Sequence, residues 1–194
     1  MEQKVIKYET WQKLYGFKEP EEKLRIYYTP EAYAKSIKLV NSHPLEIGWN
    51  MVVKPYKDGY KVYDIFVYPQ KVSPAYVSVD LGNYGLWKSS LKDDTEANLN
   101  GQAHSHVNMS TYPSFVDNGQ QQGEIKTKKH GFYLFQIWNK RGEINSFFYD
   151  IDNGLFYDND NITITVEHVD DFIENSYNML STERNYNFEA GEDF

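Results

Sequence analysis

From Leu45 to Val169 the chain is a succession of short runs rich in Val, Ile, Tyr and Phe, cut apart by turn-forming clusters. This pattern restricts it to folds built on a sheet of several short strands. LEIGWNMVVKPY and GYKVYDIFVYPQ are separated by KDG, which predicts a hairpin, and AYVSVDL follows QKVSP as a third strand. Further on, HGFYLFQIWNKRGEINSFFYDIDNGLFYDNDNITITVEHV alternates apolar and polar residues around NKRGE, DNG and DNDN, as a meander of antiparallel strands does. The 17 Tyr and 11 Phe supply the aromatic bulk that strands favour.

Helical signals are fewer. In TPEAYAKSIKLVNSH a capping Thr29 precedes Pro30 at the first helical position, and Tyr33, Ile37 and Val40 recur with helical spacing, so a helix is predicted over 30–42. LGNYGLWKSSLKDD predicts a short helix over Trp87 to Leu91, TEANLN a polar connector, and GQAHSHV the end of a strand. SFVDNGQQQGEIKT reads as a helical turn or a loop, because Gly119 and Gly123 weaken a longer helix. VDDFIENSYNML predicts a final helix. These elements give an α+β class: a mixed, mostly antiparallel curved sheet flanked by helices. A length of 194 residues favours one domain over 26–180, with an N-terminal extension over 1–25 and an acidic, flexible tail over 181–194.

Charge and composition exclude several functions. The net charge is −8, and no run of Lys or Arg forms the basic stripe that phosphate backbones require, which argues against nucleic acid as a partner. No stretch approaches the roughly 20 apolar residues that span a bilayer, so a cytoplasmic protein without a membrane segment is expected. There is no cysteine, which removes disulfides, thiolate zinc sites and a Cys nucleophile. Any metal must rely on His and carboxylate ligands.

One constellation satisfies that requirement. His104 and His106 are separated by a single residue, seven residues lead to Ser114, and two more to Asp117. On a strand, residues i and i+2 share a face, so both imidazoles can reach one ion while the following loop returns a carboxylate. Two His and one carboxylate are a catalytic zinc set, because three protein ligands leave a fourth tetrahedral position for water. Ser105, between the ligands, should face the other way and is assigned a structural role.

The segment GQAHSHVNMSTYPSFVD resembles the signature of the JAMM metalloproteases, also called the JAB or MPN-plus domain, and the order of elements resembles that family over roughly residues 25–170. The resemblance implies a JAB/MPN-like, cytidine-deaminase-like fold. It also implies one Zn2+ held by His104, His106 and Asp117, with water as the fourth ligand. Glu46, in LEIGWN, would be the general acid/base acting on that water, and Ser114 would donate a hydrogen bond to the oxyanion. The implied activity is a zinc metallopeptidase or isopeptidase (a hydrolase) acting on a peptide or protein, ubiquitin-like or of phage or bacterial origin. A non-catalytic scaffold or protein-binding module and a small-molecule amide hydrolase remain alternatives. The chain departs from the eukaryotic isopeptidases at Val107, where those have Pro, and the VNMSTYP loop looks more like bacterial and phage-borne members.

The remaining candidates read as structural. His43 and His130 have no partner carboxylates at useful spacing, His168 lies next to Asp170 and Asp171 near a predicted helix start, all three read as structural or exposed, and Trp49 and Trp87 are assigned to the core. DIDNG and DNDN lack EF-hand spacing and predict turns rather than a calcium site.

Overall fold

In the computed structural model, which describes residues 12–13, 15–73 and 77–169, the Val-, Ile- and aromatic-rich runs become strands of one large sheet and one small one. In chain order the elements are β1 (Leu24–Tyr28), α1 (Pro30–Ser42), β2 (Gly48–Tyr56), β3 (Gly59–Phe66), β4 (Gln70–Val72), β5 (Val77–Val79), α2 (Leu81–Ser89), α3 (Asp93–Ala97) and β6 (Leu99–Ser105). Then come α4 (Phe115–Thr127), β7 (Phe132–Trp138), β8 (Ile144–Asp150), β9 (Leu155–Tyr157), a 3-10 turn (Asn159–Asn161) and β10 (Ile162–Val166). The large sheet runs β10-β1-β3-β2-β6-β7-β8-β9, while β4 and β5 form a separate pair. Pairings β2–β3, β2–β6, β7–β8 and β8–β9 are antiparallel; β1–β10, β1–β3 and β6–β7 are parallel. The protein is therefore of the α+β class, with a mixed, mostly antiparallel sheet and, among the described residues, four α-helices, as the patterning predicts.

Local chemistry explains α1. Thr29 Oγ1 accepts a hydrogen bond from the Ala32 amide at 3.2 Å, and Pro30 occupies the first turn, where its missing N–H costs nothing. The buried stripe is Ala32, Ser36 and Val40, and Ile37 is left 39% exposed. Small side chains let the helix lie close to the sheet, and the Ser36 hydroxyl is satisfied by donating to the Ala32 carbonyl at 2.9 Å.

Beneath it, Ile26, Tyr28, Trp49, Met51, Val53, Val62, Ala103, Leu134, Trp138 and Phe148 form a single core cluster. Trp49 is fully buried, as expected, whereas Trp87 is only partly so, beside Tyr84 and Tyr68. A polar thread runs through this cluster, in which Tyr28 and Trp138 both donate to Gln136 Oε1 and Gln136 Nε2 donates to Ser146 Oγ. Satisfied partners remove the desolvation cost that would otherwise exclude Gln136 from the core. At the centre of the sheet β6 packs without slack. A Cβ on Gly101 would lie 2.9 Å from Met51 Cε and 3.1 Å from the Leu134 carbonyl oxygen.

Several expectations are corrected. ITITV does not continue the meander: β10 crosses to the opposite edge and pairs in parallel with β1, from Leu24 opposite Ile162 to Tyr28 opposite Val166. There Ile162, Ile164 and Val166 pack on the core cluster, a long-range gain with no local signal. Among the described residues of AYVSVDL the strand is Val77–Val79, paired with β4 outside the main sheet. The short helix begins at Leu81 instead of Trp87, because the Asp80 carbonyl accepts from the Asn83 and Tyr84 amides and starts the turn there. TEANLN is not a plain connector, since Asp93–Ala97 is helical and β6 begins at Leu99. SFVDNGQQQGEIKT is neither a turn nor a loop but the thirteen-residue α4. Its glycines each cost about 1 kcal/mol, and a capping box together with a buried stripe of Asp117, Gln121 and Ile125 offsets them.

Ahead of β1, Lys18 joins the sheet edge, donating its amide to the Gly154 carbonyl at 2.8 Å and accepting from Phe156 N at 2.9 Å. The predicted final helix, apart from Val169, the acidic tail and residues 1–11 lie outside the described residues. Among the described residues no helix is long and apolar enough to cross a membrane.

Candidate metal centre

Two adjacent pairings place the His-x-His segment. Antiparallel β2–β6 sets Gly48 opposite His104, and parallel β6–β7 sets Ser105 beside Trp138. His106 lies one residue past β6 but continues the ladder through its amide, 2.7 Å from the Trp138 carbonyl oxygen. The two imidazoles share a face, their ring centroids 4.9 Å apart. Ser105 faces the other way, as the alternation predicts, and ties down the strand before it. Its Oγ accepts from Ile47 N at 3.2 Å, and its amide donates to the Ile47 carbonyl at 2.9 Å. That tie carries Glu46 to the site. Glu46 is not on a strand but in the connector between α1 and β2, its side chain 3% exposed and its amide donating to the Ser73 carbonyl.

Asp117 arrives from the other side, on the first turn of α4. Ser114 is the N-cap: its Oγ accepts from Asp117 N at 3.2 Å, while Asp117 Oδ2 accepts from Ser114 N at 2.6 Å. The box aims the carboxylate at the imidazoles, with Oδ1 3.1 Å from His104 Nε2 and Oδ2 3.4 Å from His106 Nε2. One ligand atom from each of His104, His106 and Asp117 lies within 4.8 Å of the others. Glu46, Ser114 and this trio line one cavity of about 290 Å³. All five residues that the sequence singled out are thus brought together.

The donor set fits a cation. His106 Nδ1 lies 2.7 Å from the Ser110 carbonyl oxygen, which can only accept, so Nδ1 carries a proton and, whenever the ring is neutral, the Nε2 lone pair points at Asp117. A lone pair facing a carboxylate calls for a proton or a metal ion between them. His104 Nε2, buried and 3.1 Å from Asp117 Oδ1, has no hydrogen-bond partner among the described residues. A carbonyl that orients the far nitrogen of a ligating imidazole is the usual support of a metal site. The charge balance agrees. Burial raises the Asp117 carboxyl pKa, but His104, His106 and Ser114 together hold it far below the ordinary range. Burial lowers the His106 pKa, and Asp117, the Ser110 carbonyl and Glu46 more than reverse this, leaving the ring more basic than usual. Glu46 is shifted upward by burial, with Asp117 adding to the shift and His106 and His104 opposing it. The His-His-Asp group can hold a metal ion.

Supporting residues that sequence reasoning did not select are backbone contacts, which leave no residue-type signal. Ser110 orients His106 through its carbonyl, and Asn139 Nδ2 holds the Met109 carbonyl at 2.9 Å. Val107, directly after His106, has φ 49°, a left-handed conformation that crowds a β-branched side chain. It is held there because its carbonyl accepts from Lys140 N at 2.7 Å. Proline, fixed near φ −65°, cannot take this position. Val107→Gly is expected to raise stability by about 1 kcal/mol through relief of that strain, less the glycine's entropy. Chemical denaturation of parent and variant measures it, and a loss of stability would show that the side chain's packing outweighs the strain.

No family model and no curated protein matches the chain. Among solved structures it is similar to the solution structure of protein DSY2949 from Desulfitobacterium hafniense, at 17% identity and a TM-score of 0.47, covering 74% of this chain and 97% of that one.

Proposed function

We propose that the chain is a zinc-dependent peptidase or isopeptidase with a JAB/MPN-like fold, cutting a peptide or isopeptide bond in a protein or peptide. The observation that supports this most directly is the convergence of three ligand atoms with a buried, uncoordinated carboxylate, Glu46, in one 290 Å³ cavity. Structural zinc is usually closed by four protein ligands, and three leave room for chemistry.

His104, His106 and Asp117 would hold the ion, which when bound lowers the pKa of water to about 7 and polarises a carbonyl. Glu46 accepts a proton from the attacking water as the new C–O bond forms, and returns it to the amine as the C–N bond breaks. A carboxylate suits both halves when burial has raised its pKa. Ser114 uses its oxygen as an acceptor for Asp117 N, so its O–H is left to donate to the oxyanion.

Protein purified without added metal is expected to carry zinc near one equivalent by elemental analysis. Its hydrolysis of a mixed peptide digest should disappear on chelation and return on adding Zn2+. Zinc-loaded protein that cleaves no peptide or isopeptide conjugate would overturn the reading.

A further inference from the structure

A second concavity, of about 720 Å³, adjoins the metal cavity and shares Ser110 and Tyr112 with it. Its size falls within the roughly 300–1,000 Å³ typical of ligand clefts. Tyr112 and Pro113 form one wall, with Tyr112 78% exposed, and Phe147 and Phe156 are among its apolar residues. Asp158 and Asp160 also line it.

The charges of this cleft do not cancel. Arg141, the one cation lining it among the described residues, is engaged by Glu143 at 2.8 Å. Asp158 and Asp160 form no ion pair among the described residues. The Asp158 carboxylate is also held in place. Asp158 Oδ1 accepts from Asp160 N at 3.1 Å and from Asn161 Nδ2 at 3.2 Å, and Asn159 Oδ1 accepts from Ser146 N at 3.1 Å, pinning the turn to β8. The cleft therefore sets the held carboxylate of Asp158 and the exposed carboxylate of Asp160, neither in an ion pair among the described residues, beside aromatic and apolar surface, a combination that suits a long cationic side chain. The stem of Lys or Arg packs on apolar surface, and its head reaches the carboxylates or an aromatic face.

We infer that this cleft is the substrate subsite beside the metal and that it selects peptide segments carrying Lys or Arg a few residues from the scissile bond. The inference rests on the peptidase reading. Its occupant is argued from charge complementarity and from the shared wall at Ser110 and Tyr112, through which an extended peptide in the cleft would lead to the His-His-Asp group.

The test measures binding rather than turnover. Fluorescein-labelled decapeptide pools of random Ala, Gly, Ser, Leu and Tyr, with one central Arg, Glu or Leu, are titrated by anisotropy against the zinc-loaded full chain. The Arg pool is expected to bind about five-fold more tightly than the Leu pool and more tightly still than the Glu pool, the scale of a partly exposed charge pair. In Asp158→Asn with Asp160→Asn the advantage should vanish; Asn at 158 keeps the oxygen that accepts from Asp160 N, and unchanged thermal melting verifies the fold. Equal binding of the three pools, absence of binding, or an Arg preference that survives both substitutions would each overturn the subsite. Selective binding without hydrolysis would overturn the peptidase reading and keep the subsite, whereas hydrolysis without preference would do the reverse.

Discussion

Replacing Glu46 by Gln is expected to lower peptide hydrolysis by about 10²–10⁴-fold while zinc content stays at the parent level. Glu46 is not among the three residues whose donor atoms converge on the candidate ion site, so the metal should be indifferent to the change. Gln has nearly the same shape and can still hydrogen-bond a water, but it cannot accept a proton. Stability should hold or rise slightly. The carboxylate is buried and its pKa is raised chiefly by desolvation, so a neutral amide removes a cost from the folded state. Steady-state kinetics and elemental analysis on the same preparation provide the check. Parent-like turnover in a zinc-loaded Glu46→Gln protein would remove Glu46 as the base.

The second large effect is expected at Asp117, which both caps α4 and completes the ligand trio. Both Asp117→Ala and Asp117→Asn should lose zinc affinity by more than about 100-fold, above the 10–100-fold typical of residues that only support a ligand. Their folds should differ. Asn keeps an oxygen for the Ser114 amide, whereas Ala loses that half of the capping box, at about 1 kcal/mol. Zinc that binds only the folded state stabilises it by about 2.7 kcal/mol at a hundred-fold excess over Kd. Added zinc should therefore raise the melting temperature of the parent and leave both variants unmoved. Asp117→Asn binding zinc as tightly as the parent would exclude Asp117 as a ligand.

The two predictions draw on information of different reach. His104, His106, Ser114 and Asp117 were legible in the chain because their relations are local. A strand alternates faces with period two, which separates the two imidazoles from Ser105, whereas the cap that joins Ser114 to Asp117 came only with α4, in a segment that reads from sequence as a turn or loop. The helix over 30–42 and the β2–β3 hairpin were legible for the same reason. Glu46 was marked only by resemblance. Nothing in LEIGWN says that Ile47 will bond to Ser105, fifty-eight positions away.

α4 shows where local propensity gives the wrong weight. Gly119 and Gly123 argue against a helix, and burial of Gln121 and Ile125, invisible from composition, supports it. The crossover of β10 to β1 likewise follows from core packing rather than from any turn residue.

By itself, then, the sequence determined the class of the fold, the strand-rich pattern and the chemistry available: His and carboxylate, no thiol, four residues at a spacing that a strand and a helix cap convert into proximity. The tertiary structure decided the strand order, the arrival of Glu46, the left-handed turn at Val107 and the cleft shared through Tyr112. Spacing rules act over a few residues of regular backbone. Strand partners, buried helix faces and cavities are instead set by contacts between distant segments, whose energies exist only once the chain has closed on itself.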